Sequence, residues 1–246
     1  MLEHRYPELD ALRGIAVWMM VLYHLLFDLA YFYGWQIPIY DGGWKIFART
    51  AAILFLLLVG VCFVISWERS LRAVETPRWG VSETRQRRVS TTIYGKYLRR
   101  GLFIFGGGMV ISLVTKLFAG DMYVRFGVLH LIGFSTLLLP FFTPLKEWNA
   151  LLGLFIITFY TFTPSTPPTP SLDYFPLLPW LGVILIGMAL GHIFYSPSRL
   201  ALLQKLDSLP YPRALLWSGR RSLWIYFVHQ PVLLIFLGFL LGMQMG

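Results

Sequence analysis

Residues 8–33 read ELDALRGIAVWMMVLYHLLFDLAYFY, and this stretch decides the fold class. It is longer than the about 20 mainly apolar residues that cross a bilayer core. Yet it holds Arg13 at its start, His24 past its middle and Asp28 one turn later. At 100° per residue, the steps from Arg13 to His24 return to nearly the same face, and His24 and Asp28 are i,i+4 neighbours. The three polar groups therefore look in one direction, with a rise of roughly 16 Å from Arg13 to His24 at 1.5 Å per residue. An ionisable group at the centre of a span costs at least about 2.5–3.5 kcal/mol unless it faces protein or water. Three such groups on one face argue for a common purpose.

The rest of the chain has the same character. Of 246 residues, 57% are hydrophobic and 13% charged, where soluble domains sit nearer a quarter charged. Mean hydropathy is +0.63. The apolar runs are interrupted by Pro and Gly and do not alternate polar with apolar, so spanning helices fit and a β-barrel does not. The expected fold is an all-α membrane protein: one domain over residues 1–246, a polytopic bundle of about seven transmembrane helices. Their expected positions are about 12–33, 48–67, 101–118, 126–142, 148–163, 177–195 and 222–242. Acidic residues precede the first apolar run and no A-x-A site follows it, which speaks against a cleaved signal peptide. The single cysteine, Cys62, lies within an apolar run and reads as a buried, inert thiol.

The net charge of +9 is placed beside the membrane. Residues 68–100 hold nine Lys/Arg against three Glu, and residues 196–221 hold five more basic residues. The opposite loops hold Lys45, Arg49 and Arg125. Positive-inside bias places the two basic segments and the N-terminus in the cytoplasm, and explains the charge with no nucleic-acid partner. The basic loop 68–100 reads as a surface helix or arm, with Tyr94–Arg100 leading straight into the third span. The Pro-rich outer loop 163–178 reads as a stiff connector. Three glycines, Gly106–Gly108, point to close helix packing or a kink.

Three of the five histidines, His24, His130 and His229, lie within spans, where an ionisable side chain is a functional hypothesis by default. His4 precedes the membrane, and His192 suits a structural role. For His130 and His229, hydrogen bonding between helices and chemistry both stay open. His24 stands out because an imidazole takes a proton near neutrality. Asp28, one turn away, is placed to orient the ring as carboxylates do in triads, the alternative being a local polar pair bonded within the bundle. No His, Cys or acid cluster has metal-ligand spacing.

The residues that follow carry a resemblance. ELDALRGIAVWMMVLYH resembles the first-helix signature of membrane acyltransferases, an Arg and a His separated by ten residues. Together with Asp28, FLLLVGVCFVIS, RFGVLHLIGFS and GRRSLWIYFVHQPVL, it resembles the catalytic-domain family of heparan-α-glucosaminide N-acetyltransferase, in its small bacterial members. The likeness runs over roughly residues 5–242. It implies acetyl-CoA as cytoplasmic acyl donor, a saccharide amine or hydroxyl as acceptor across the membrane, and a multi-pass inner-membrane location. It also implies His24 as catalytic base or acyl carrier, Arg13 near the donor's entry and, less directly, Asp28 as the matching acidic position. The luminal extension of larger members is not in this sequence, so heparan-type specificity is not implied. Within this picture Arg99, Arg100, Arg220 and Arg221, at mouths of spans, are candidates for the CoA phosphates. His130, Tyr226 and His229 are candidates to stabilise the oxyanion. The rival readings are a b-type haem protein with paired histidine ligands and a proton-coupled transporter using His24 and Asp28.

Overall fold

A computed structural model describes residues 5–75, 83–163, 171–196 and 201–242. It is helical throughout, with no strand among the described residues beyond one isolated bridge between Phe126 and Tyr174. The helices are α1 (Pro7–Tyr33), α2 (Gly42–Glu75), α3 (Glu83–Ala119), α4 (Val128–Phe142), α5 (Asn149–Phe162) and α6 (Leu177–Tyr195), then α7 (Ala201–Gln204), α8 (Arg213–Arg220) and α9 (Ser222–Leu241). Six segments are long and apolar enough to span a membrane: Pro7–Tyr33, Gly42–Arg72, Thr92–Phe118, Val128–Phe162, Leu177–Tyr195 and Ser222–Leu241. Bulky apolar side chains stand exposed along them, among them Phe118, Phe162, Ile235 and Phe239. This is the surface a protein dissolved in lipid presents, and the chain is an all-α membrane protein.

The expected spans appear as helices, with two differences in length. α2 and α3 run well past their apolar stretches into the basic segment, because Arg, Lys, Glu and Gln are good helix formers that hydropathy does not register. Tyr94–Arg100 is continuous with the third span, as expected. The fourth and fifth expected spans are short, 15 and 14 residues, or about 21–23 Å each at 1.5 Å per residue. A 3₁₀ turn, Thr143–Trp148, joins them, and Lys146 within it has φ 45° and ψ −121°. Only taken together does Val128–Phe162 reach spanning length.

The packing groups the chain into two compact units, Met1–Leu58 with Ala201–Gly246, and Val59–Leu200. In the first unit α1 starts with Pro7 in its first turn and with Glu8 and Asp10 beside its positive dipole end. It stops at Gly34, whose φ of 70° is left-handed, where Trp35 N–H reaches back to Leu29 O at 3.1 Å. α8 lies against the start of α1 without intervening side chains. A Cβ on Gly14 would collide with the Leu215 carbonyl, and one on Gly219 with the Asp10 carbonyl. One residue, Arg221, separates α8 from α9. α9 carries Pro231 in its interior, so the peptide that would bond the Phe227 carbonyl has no N–H.

In the second unit α3 pairs with α4 and α5 with α6, again through glycine. Gly133 of α4 faces the Phe105 backbone, and Gly153 and Gly182 face each other's carbonyls. The described end of the outer loop is more than a connector. Leu172 N–H bonds Met122 O at 2.8 Å and Phe175 N–H bonds Phe126 O at 2.7 Å, so the loop docks on residues 122–126. Cys62 is half-buried in α2 rather than buried.

Candidate active site

In the first unit, His24 of α1 meets His229 of α9. The ring centroids are 4.8 Å apart and the planes cross at 81°, edge to face. Each ring is held by its own helix. His24 Nδ1 lies 2.9 Å from Met20 O, and His229 Nδ1 lies 2.7 Å from Tyr226 O. A carbonyl only accepts, so Nδ1 carries the hydrogen in both rings, and in the neutral imidazoles the lone pairs sit on Nε2. His229 Nε2 is buried and has no hydrogen-bond partner among the described residues. His24 is half-buried.

Asp28 is fully buried, but its partner is Gln230, whose amide donates to Oδ1 at 2.6 Å. This corrects the expectation that Asp28 orients the His24 ring. Helical side chains lean toward the N-terminus, so the imidazole rests on the turn containing Met20, away from a carboxylate one turn further on. Asp28 Oδ2 and Gln230 Oε1 are both buried without a partner among the described residues. A second polar pair, anchored through α9, thus lies one turn from the two rings.

At the other end of α1, Arg13 and Arg220 share one carboxylate. Arg13 Nη1 lies 3.2 Å from Asp10 Oδ1, and Arg220 Nε lies 3.2 Å from Asp10 Oδ2. Arg13 also donates to Gly219 O at 3.5 Å. Asp10 is 5% exposed. Arg221 stacks on Trp217, with its guanidinium carbon 4.9 Å from the ring centre. Sequence reasoning brought Arg13, His24 and Asp28 to one face and named His229 and Arg220, but missed Gln230 and Asp10, which answer Asp28 and Arg13. Gln230 directly follows His229, and Asp10 precedes Arg13 by the three residues that make helical neighbours, so both had a local signal.

The remaining expected residues lie in the second unit. His130 has both ring nitrogens engaged. Gly127 N–H donates to Nδ1 at 3.2 Å, and Nε2 lies 3.4 Å from the Ser112 hydroxyl, which itself donates to Val124 O. Its ring lies against Gly108, where a Cβ would sit 3.0 Å from ring atoms, so one of the three glycines of Gly106–Gly108 is explained by close packing. Asp173 of the outer loop accepts Val128 N–H at 3.3 Å, at the start of α4. Burial pushes its carboxyl up to about 6, partly offset by that hydrogen bond. Arg99 and Arg100 are exposed on α3. His192 is buried in α6, and His4 lies outside the described residues.

Comparison with known proteins adds one match. A family model described as "Heparan-alpha-glucosaminide N-acetyltransferase, catalytic" covers residues 5–231. No curated protein and no solved structure matches the chain.

Proposed function

We propose, from the premise that the chain belongs to the heparan-alpha-glucosaminide N-acetyltransferase catalytic family, that it moves an acetyl group from acetyl-CoA to an amine or hydroxyl of a saccharide acceptor. The reaction runs across the inner membrane, with the basic segments and the N-terminus on the cytoplasmic side, where the donor enters. His24 is the reacting group. Its Nε2 lone pair takes the proton of the acceptor as that nucleophile adds to the thioester carbonyl. The imidazolium then returns the proton to the departing sulfur. The same lone pair also suits an acyl-carrier route, in which the acetyl rests on Nε2 before transfer. Trapping label on the protein in the absence of acceptor separates the two routes.

The observation that carries this reading is the His24–His229 pair, with both Nδ1 atoms tied to backbone carbonyls and both Nε2 atoms left for chemistry. His229, with its lone pair on Nε2, lies close enough to accept a hydrogen bond from the charged His24 ring, and Asp28 with Gln230 fixes α9 beside α1. Arg13 and Arg220 mark the donor end, with Arg221 as a further cation for phosphate. His130 serves this reading by shaping the turn before α4, since both its nitrogens are engaged. A haem held between His24 and His229 is not favoured: rings in edge-to-face contact leave no room for a porphyrin between them.

The test uses purified full-length protein in lipid nanodiscs with acetyl-labelled acetyl-CoA and a panel of amino sugars and oligosaccharides. Wild type transfers label, and His24→Ala, with an unchanged elution profile, does not. Unchanged turnover in that variant would overturn the role of His24.

A further inference from the structure

Arg220 is held by its Nε edge. Its Nε, not its terminal nitrogens, meets Asp10 Oδ2 at 3.2 Å. The side chain is 44% exposed, while that of Asp10 is 7% exposed. Neither terminal nitrogen of Arg220 has a hydrogen-bond partner among the described residues. A guanidinium is planar and rigid, so a carboxylate that fixes the Nε side also fixes the direction of the Nη1/Nη2 side. That outer edge carries N–H groups in the fork that matches two oxygens of one phosphate. Asp10 itself cannot swing away. Its other oxygen is tied to Arg13, and its backbone carbonyl is pressed against Gly219, where no Cβ fits.

We infer that Asp10 is the positioning residue of the donor site: it aims the outer edge of Arg220 at a phosphate of the nucleotide end of the acyl donor. This rests on the acetyl-CoA reading given above. Asp10 touches neither donor nor acceptor and acts through Arg220. Its effect therefore falls on donors that carry phosphate and spares the thioester chemistry.

The experiment compares acetyl-CoA with S-acetyl-pantetheine, which keeps the thioester arm and lacks the nucleotide phosphates. In wild type, kcat/KM favours acetyl-CoA. In Asp10→Asn that preference falls about tenfold, the size of one weakened charge-assisted contact, with the change in the KM for acetyl-CoA and little in kcat. Asp10→Glu restores part of the preference, because it returns the carboxylate. Arg220→Gln, at a half-exposed position, lowers the same preference even if Asp10→Asn does not fold. An equal loss with both donors in the folded variants makes Asp10 a packing residue and overturns the inference. Wild type that transfers from neither donor overturns the acyltransferase reading, and this inference with it.

Discussion

His24 and His130 are both imidazoles set in apolar helices, and their surroundings differ in kind. His130 receives an N–H on one nitrogen and faces a hydroxyl with the other, and it serves the backbone of its own turn. His24 has one nitrogen on a carbonyl and a second histidine at its edge, with a carboxylate–amide pair one turn away. A histidine whose two nitrogens are both engaged by the protein has no lone pair to offer a substrate. One with a single nitrogen engaged is held in place and still reactive. The count of engaged nitrogens, rather than burial or position in a span, separates the two.

The strongest test of this contrast is His24→Ala, which is expected to lower acetyl transfer by about 10²–10⁴-fold, the range for loss of a general base. Label transfer from acetyl-CoA in nanodiscs measures it. His229→Gln comes next. Gln keeps a polar group but not the imidazole, and a loss of about tenfold in kcat is expected if His229 contributes one supporting hydrogen bond. His130→Ala should reverse the pattern. It strands the Gly127 N–H and lowers stability by about 1–3 kcal/mol, seen as a lower unfolding temperature, while kcat per folded molecule changes less than for either other histidine. A kcat loss matching that of His24→Ala would erase the distinction.

The smallest effect belongs to the docked outer loop of the second unit. The Asp173 carboxyl is raised from its usual 3.8 to about 6 by burial. A raised carboxyl binds more protons folded than unfolded, so its stabilising contribution is full below about 3.8 and is lost as pH rises through about 6. Asp173→Asn should flatten that part of the unfolding-temperature profile and leave the His24 chemistry alone.

Apolar run length made most of the helices legible, because the bilayer fixes how many residues a crossing needs. It placed α4 and α5 within two residues of their ends but not the kink at Lys146 between them, a backbone event that a polar Thr-Pro-Leu-Lys-Glu turn announces only as a loop. Helical periodicity placed Arg13, His24 and Asp28 on one face. It could not supply Gln230 or Arg220, which arrive about 200 residues later in the chain through tertiary packing. Nor could it show that the His24 ring rests on Met20 instead of Asp28. That choice depends on side-chain direction, and residue spacing alone does not encode it.

The single residue between α8 and α9 leaves the joint without slack. α8 is seated on α1 by carbonyls resting on Gly14 and Gly219, and Arg221 bonds back to Trp217 O and Ser218 O. The seat therefore sets the azimuth at which α9 departs, and with it the approach of His229 to His24. Whatever tugs on Arg220 at one end works a short lever whose far arm carries an imidazole.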